Sequence, residues 1–309
     1  MSATSHRSVV ALAGGVGGAR LVDGLDRALP EGALQVVVNT GDDFEHWGLH
    51  ISPDLDTIMY TLAGLAPEDR GWGIEGDTFH ALGEARRRGV DDWFQLGDRD
   101  LVTHLMRTHE LARGDSLTEV TASACRRLKV PRAILPMADA PRPTTVVAKD
   151  GEELAFQEWL VRARAAPEVR ALRYGGDGIA TPQVLAALAA ADLVVVCPSN
   201  PFVSIDPILT LRGVREALEQ TQVVAVSPIV GGHAVKGPLA SMIPQLCGQA
   251  ASAKAVADHY TGLLDGYAVH PGDGFEAPFP ILETNILIQT RQDRVVFARK
   301  LLEFAGSLG

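Results

Sequence analysis

Cysteine is scarce in this chain of 309 residues: Cys125, Cys197 and Cys247 stand far apart, with no C-x-x-C pair. That excludes a disulfide framework and a zinc-thiolate signature, and it points to a reducing cytoplasm. Basic residues are short as well. Lys and Arg number 28 against 38 Asp and Glu, a formal net charge of −10. The chain therefore lacks the basic face of a nucleic-acid or membrane-surface binder, although a local basic pocket for a phosphorylated small molecule stays open. Long uncharged runs are missing too. The start, MSATSHRSVVALAGG, holds only VVALA before glycine, too short for a signal-peptide core, and nothing further along is long enough to span a bilayer. What remains is an ordinary soluble composition, 46% hydrophobic and 21% charged, with ample material for a large core.

Periodicity supplies the fold class. Ser8–Ala13 reads as a buried strand ending in GGVGG, Arg20–Leu29 as a helix stopped by Pro30, and Leu34–Val38 as a second strand. Ser52-Pro53 then starts a helix, with Ser52 as N-cap. From about Glu75 to Leu128 the pattern is helical, with starts at Asp77, Asp98 and Asp115-Ser116. TTVVAKDGEELAFQEWLV reads as a hairpin turning at Asp150-Gly151. Alternation resumes with strands Leu193–Cys197, Val223–Val226, Gly266–Val269 and Pro280–Glu283, separated by helices except for the last pair, and a final helix begins near Asp293. These elements predict an α/β, Rossmann-like architecture: a mainly parallel sheet with helices on both faces. Residues 1–70 and 171–309 form its nucleotide-binding core, and 71–170 form a smaller, mostly helical insert with a β-hairpin.

Candidate chemistry gathers where strands end. Gly14, Gly15, Gly17 and Gly18 lie at the turn from strand one to helix one, where free N–H groups attract phosphate and Arg20 stands nearby. No Lys-Ser/Thr follows, so this is not a Walker loop. Counting from Gly15, Arg20 occupies the third glycine position of a nicotinamide fingerprint. Past strand two, NTGDDFEHWGLHISPDLDT crowds Asp42, Asp43, Asp54 and Asp56 together. Asp54 and Asp56 suit a helix N-terminus on dipole grounds. Four acids together, without cysteine, suit a hard cation such as Mg²⁺ shared with substrate phosphates. Two later loops reach the same edge. CPSNPFVSIDP offers Ser199 and Asn200, and SPIVGGHAVKGP offers Ser227 and Lys236, a set that favours a nucleotide site. WFQLGDRDLVTHLMR adds Trp93, Asp98, Arg99 and His104, which composition alone leaves as a capped surface helix.

GGVGGARL, NTGDDFEHWGLHISPDLDTIMYTLAG, WFQLGDRDLVTHLMR, CPSNPFVSIDPIL and SPIVGGHAVKGP, in that order from about Val9 to Phe304, together resemble the 2-phospho-L-lactate transferases of coenzyme F-420 biosynthesis. The resemblance implies a Mg²⁺-dependent, homodimeric enzyme. It would pass a 2-phospholactyl, phosphoenolpyruvyl or 3-phosphoglyceryl group from a guanosine diphosphate-linked donor to the 5′-hydroxyl of the deazaflavin Fo, releasing GMP. It implies roles as well. Asp43, Asp54 and Asp56 would hold metal, with Asp43 and Asp56 leading, and Asp42, Asp43 and Asp56 would be catalytic. Gly15, Gly17, Gly18, Arg20, Ser199, Asn200, Ser227 and Lys236 would bind donor nucleotide or phosphate. Trp93, Asp98, Arg99 and His104 would meet the deazaflavin. Two rival readings are a nucleotide-sugar-binding regulator resembling the gluconeogenesis-factor branch and a nicotinamide oxidoreductase. The first usually has a DDGGSSG-like loop where this chain reads GDDFEHWGLHISPDLDT. The second lacks its third glycine and a ribose-binding acid at the end of strand two.

Overall fold

Strands made almost wholly of Val, Ala and Leu have no polar face, which suits a parallel sheet covered on both sides. The computed structural model describes residues 8–308 and bears this out. Residues 1–7, which carry part of the leader-free reading of the start, lie with Gly309 outside the described residues, as do those ends of the expected core. Seven strands, β1 (Val9–Ala13), β2 (Leu34–Val38), β3 (Ala133–Pro136), β4 (Leu193–Val196), β5 (Gln222–Val226), β6 (Gly266–Val269) and β7 (Ile281–Glu283), pair in the order β7-β6-β5-β4-β1-β2-β3. Every neighbouring pair is parallel.

Alternate side chains feed two cores. Val10, Leu12, Val37, Val194 and Val196 face one cluster, while Val9, Ala11, Val36, Val38 and Val195 face the other. The second face is covered by α1 (Gly15–Ala28), α2 (Pro53–Leu62) and the C-terminal helix Arg291–Gly306. Gly24 lets the last of these cross α1 closely, since a Cβ there would collide with the Arg294 carbonyl. The chain runs outward from β1 through β2 to β3, then returns to place β4 on the other side of β1. The order therefore reverses between β1 and β4, and such a crevice at the carboxyl ends is where open α/β sheets bind ligands.

The middle of the chain departs from the expected boundaries. The insert carries α3 (His80–Arg87), α4 (Asp100–Ala112) and α5 (Leu117–Arg127), but β3, inside residues 71–170, pairs with β2 as an edge of the main sheet. The hairpin forms as expected, joining Thr144–Ala148 to Glu153–Ala155, with Gly151 at φ +95° in its turn. Val169–Tyr174 then adds a third antiparallel strand to this small sheet. A further hairpin, Phe44–His46 with Leu49–Ile51, turns through Trp47 and Gly48, both at positive φ.

Two helix starts are exchanged. Asp77 precedes α3 yet accepts from the Arg99 and Asp100 N–H groups at the start of α4, at 2.9 and 3.0 Å. Asp98 precedes α4 yet accepts from the His80 and Ala81 N–H groups of α3, at 3.0 and 2.9 Å. Each acid thus caps the other's helix and ties the insert together. Ser116 caps α5 where a helix start is expected, and with Glu119 it forms a capping box.

Candidate active site

β1 delivers the glycine loop into the crevice. Gly14 is the N-cap of α1, and its N–H donates to Ser199 Oγ at 3.1 Å while Ser199 Oγ donates to the Gly14 carbonyl at 2.8 Å. This latch joins the loops after β1 and β4. A Cβ at Gly17 would lie 2.5 Å from the Pro198 carbonyl oxygen, and one at Gly18 would lie 2.6 Å from Ser199 Oγ. Close packing of these loops therefore demands glycine at both positions.

The acids form the next layer. Asn39, at the end of β2, donates through Nδ2 to Asp42 Oδ1 and to Asp54 Oδ2, both at 2.9 Å. Asp54 Oδ1 also accepts from the Gly15 N–H at 2.7 Å, and Asp42 Oδ2 accepts from Gln157 Nε2 at 3.1 Å. All these donors are neutral. Burial, together with the charge of Asp54, holds the Asp42 carboxyl well above the ordinary carboxylate range. Burial pushes Asp54 up to about 6, with the Asn39 and Gly15 hydrogen bonds pulling the other way. Asp43 is raised by burial as well, although its Oδ2 accepts from Ser52 Oγ at 2.8 Å and sits 3.1 Å from His50 Nε2. Its Oδ1 is buried with no partner. Ser52 occupies the N-cap position of α2, but its hydroxyl is turned to Asp43.

Asp56 has a different neighbourhood. Arg107, on α4, makes a bidentate pair with it, Nη1 to Oδ2 at 3.0 Å and Nη2 to Oδ1. Burial opposes the guanidinium charge, but the Asp56 carboxylate outweighs it and raises Arg107 above its ordinary value. Arg107 Nη1 also lies 3.3 Å from His104 Nδ1, and His104 Nε2 lies 3.3 Å from Asp100 Oδ1, off a hydrogen-bond line. Tyr60 reaches Asp100 Oδ1 and Thr103 Oγ1 at 2.7 Å each.

A cavity of about 610 Å³ opens over this floor, lined by Gly15, Gly17, Asp42, Asp54 and Asp56, with Ser199 and Asn200 to one side. Trp93 and His104 line it as well. Trp93 packs 5.5 Å from Phe44 and 5.6 Å from Phe94, ring centre to ring centre, in an aromatic outer wall. A second cavity of about 620 Å³ adjoins it and takes in Arg20 and Ser227. Val16, Gly17, Pro198 and Lys236 line both. Lys236 Nζ donates to the Arg70 carbonyl at 3.2 Å.

The remaining residues singled out by sequence lie elsewhere. Gly18 packs under Ser199, Asp43 sits behind the cavity floor, Asp98 caps α3, and Arg99 donates through Nη1 to the Glu75 carbonyl. Among the described residues no three His, Cys, Asp or Glu are gathered so as to hold an ion by themselves. The donor chemistry nonetheless fits a hard cation held by one or two carboxylates and a ligand's own oxygens, given the unpartnered Asp43 Oδ1 and the under-compensated Asp42 and Asp54. Sequence reading missed Asn39, Gln157 and Arg107. Arg107 carried a signal, because Asp100, His104 and Arg107 fall at helical spacing on one face.

The family model of 2-phospho-L-lactate transferase CofD matches residues 9–273. A protein named phosphoenolpyruvate transferase from Streptomyces griseus subsp. griseus is 45% identical over 274 residues, covering 86% of each chain. A protein of the same name from Nocardia farcinica is 40% identical over 98% of this chain and 96% of its own. Among solved structures, a member of the UPF0052 family from Bacillus halodurans superposes with a TM-score of 0.59 at 15% identity, covering 96% of this chain and 99% of that one, a likeness of fold.

Proposed function

The chain belongs to the 2-phospho-L-lactate transferase CofD family, and from that premise we propose that it transfers a phospho-organic-acid group from a guanosine diphosphate-linked donor to the 5′-hydroxyl of the deazaflavin Fo, releasing GMP. The names of its curated relatives favour phosphoenolpyruvate as the acid over 2-phospho-L-lactate or 3-phospho-D-glycerate.

The observation that supports this reading most is the pair of adjoining cavities with a shared wall of Gly17, Pro198 and Lys236. Two substrates can lie one in each cavity, with the reacting phosphate at the wall. The second cavity, with Arg20 and Ser227, suits the guanosine part of the donor. The first, with Trp93 and Phe94, suits the flat ring of the acceptor. Lys236, which donates to the Arg70 carbonyl, would exchange it for a phosphate oxygen.

Mg²⁺ would be held by Asp42 and Asp54, with Asp43 behind them, and would supply charge neutralisation on the diphosphate. Phosphoryl transfer depends largely on positioning and charge. Asn39 orients the two forward carboxylates, the first turn of α1 faces the phosphates, and the aromatic wall excludes water. A homodimer and a reducing cytoplasm complete the proposal.

The test is turnover of purified protein with Mg²⁺ and Fo, each donor being generated in situ by a partner guanylyltransferase. GMP and a phosphorylated deazaflavin with the phosphoenolpyruvyl donor are expected. Tight nucleotide binding without turnover of any donor would replace this reading with that of a nucleotide-binding regulator.

A further inference from the structure

Gln157 stands 115 positions along the chain from the acid it touches. It lies two residues beyond the second arm of the small sheet and is the N-cap of a five-residue π-helical turn, Glu158–Arg162, a wide register that recurs at functional sites. The insert in this way delivers a polar side chain into the core's crevice. Gln157 is 6% exposed and lines the cavity over the acidic floor beside Phe156, Leu160 and Val161.

Its amide orientation follows from its neighbour. Nε2 donates to Asp42 Oδ2 at 3.1 Å, the arrangement that suits Asp42 as an ionised ligand of a cation, against which the reversed amide would set oxygen on oxygen. Asp42 is then gripped by one amide on each oxygen, Asn39 from the core and Gln157 from the insert. One Nε2 hydrogen is spent on Asp42, and Oε1, which only accepts hydrogen bonds, is left for a donor. Phosphate oxygens are acceptors and find no partner at Oε1. A hydroxyl does.

We propose that Gln157 is the acceptor-specificity residue of the transferase: Oε1 receives a hydrogen bond from a side-chain hydroxyl of the acceptor and sets that hydroxyl beside the acidic cluster. The apolar residues around it support the ring to which the hydroxylated chain is attached. This inference rests on the transferase reading, and it adds a residue of the insert to the cavity that the glycine loop and Lys236 also line.

The test uses the full chain and three probes: GDP, Fo, and the same deazaflavin ring lacking its hydroxylated chain. Dissociation constants are measured by calorimetry for GDP and by ring fluorescence for the other two. In Gln157→Met, similar in length but without an amide, Fo affinity should fall about tenfold, the scale of one neutral hydrogen bond. GDP affinity and ring-only affinity should stay within about twofold. A merely structural role would move Fo and the ring together, and that result overturns the inference. So does unchanged Fo affinity. If Gln157→Met fails to fold, Gln157→Asn, which keeps the amide but withdraws it, is judged by the same ratio of Fo to ring. Wild-type protein that binds neither GDP nor Fo overturns the transferase reading itself, a different outcome from wild-type binding with no selective loss in the variant.

Discussion

Asp54 and Asp56 stand two residues apart in the first turn of α2, each 5% exposed, yet they live in opposite electrostatic settings. Asp54 receives only neutral donors, Gly15 N–H and the Asn39 amide, and is pushed up to about 6 by burial. Asp56 receives a guanidinium on both oxygens. The same helix dipole favours both, so the dipole does not distinguish them. On the glycine-loop side the hydrogen-bond donors are neutral, and Asp42 and Asp54 share the Asn39 amide. Asp56 works instead as the anchor that ties α2 to α4. Expectation from sequence had put Asp56 among the leading metal ligands. Asp56 has a buried partner in Arg107, and the Mg²⁺ proposal therefore rests on Asp42 and Asp54.

Removing that partner is the most severe way to break the contrast. Arg107→Met would leave Asp56 buried and uncompensated, which costs about 3–5 kcal/mol where one member of a buried pair is lost. Urea denaturation should show a fall of that size, and Arg107→Lys should recover part of it, since one ammonium cannot bridge both oxygens in the same plane. A loss below about 1 kcal/mol would mean that Asp56 is already neutralised by other means. Next in size is Asp54→Asn, which removes charge from the opposite setting. Turnover should fall about 10²–10³-fold, the cost of one missing group that organises transition-state charge. Its stability should change far less than that of Arg107→Met. Similar stability losses in the two variants, with Asp54→Asn still active, would erase the distinction.

Much of this contrast was hidden in the sequence, and the reasons are physical. The Val- and Ala-rich strands, the glycine turn and the acid-rich loop were legible because each is a local pattern of burial or backbone freedom. β3 was not: AILP is four residues long and follows Pro131, too short to show a period. Trp47-Gly48 makes a hairpin turn with both φ positive, where Asn or Asp before glycine would have announced it. Asp77 and Asp98 carried the right cap chemistry but exchanged helices, because a cap needs only proximity and the fold decides which N-terminus is near. Arg107 and Gln157 lie 51 and 115 positions from the acids they hold. Helical spacing set Arg107 on one face with Asp100 and His104, but it named neither Asp56 nor Asp42 as a partner across such separations.

The contrast also has a pH signature. In the unfolded chain the Asp54 carboxyl titrates at its ordinary 3.8, and in the fold at about 6. Between those values the folded state keeps a proton that the unfolded state has released. Asp54 therefore stabilises less and less as pH rises through that window. Asp42 and Asp43 are displaced in the same direction by burial. Asp100 goes the other way. Burial would raise it, but His104 and Tyr60 hold it below the ordinary value, so it loses its contribution as pH falls. The informative quantity is thus the difference in thermal midpoint between wild type and Asp54→Asn. It should move in favour of the variant from about pH 4.5 to about pH 7, and millimolar Mg²⁺ should narrow the gap only at the upper end. A difference independent of pH would show that Asp54 carries the same charge in the folded and unfolded chains.

The smallest effect belongs to Ser199, which separates a structural latch from a ligand group. Its hydroxyl is 4% exposed at the residue level and is bonded in both directions to the Gly14 backbone. A serine that receives an N–H and donates to a carbonyl of the same residue has little left to offer a nucleotide. Ser199→Ala should therefore cost about 1–2 kcal/mol, the scale of buried backbone groups left unpaired. GDP affinity should change by less than about threefold. Lys236→Met makes the opposing comparison, since that ammonium rests on a surface carbonyl and is free to move to phosphate. A tenfold or greater loss of GDP affinity in Ser199→Ala, with stability intact, would mean that the hydroxyl leaves Gly14 when nucleotide arrives, and that the latch between the loops after β1 and β4 opens during binding.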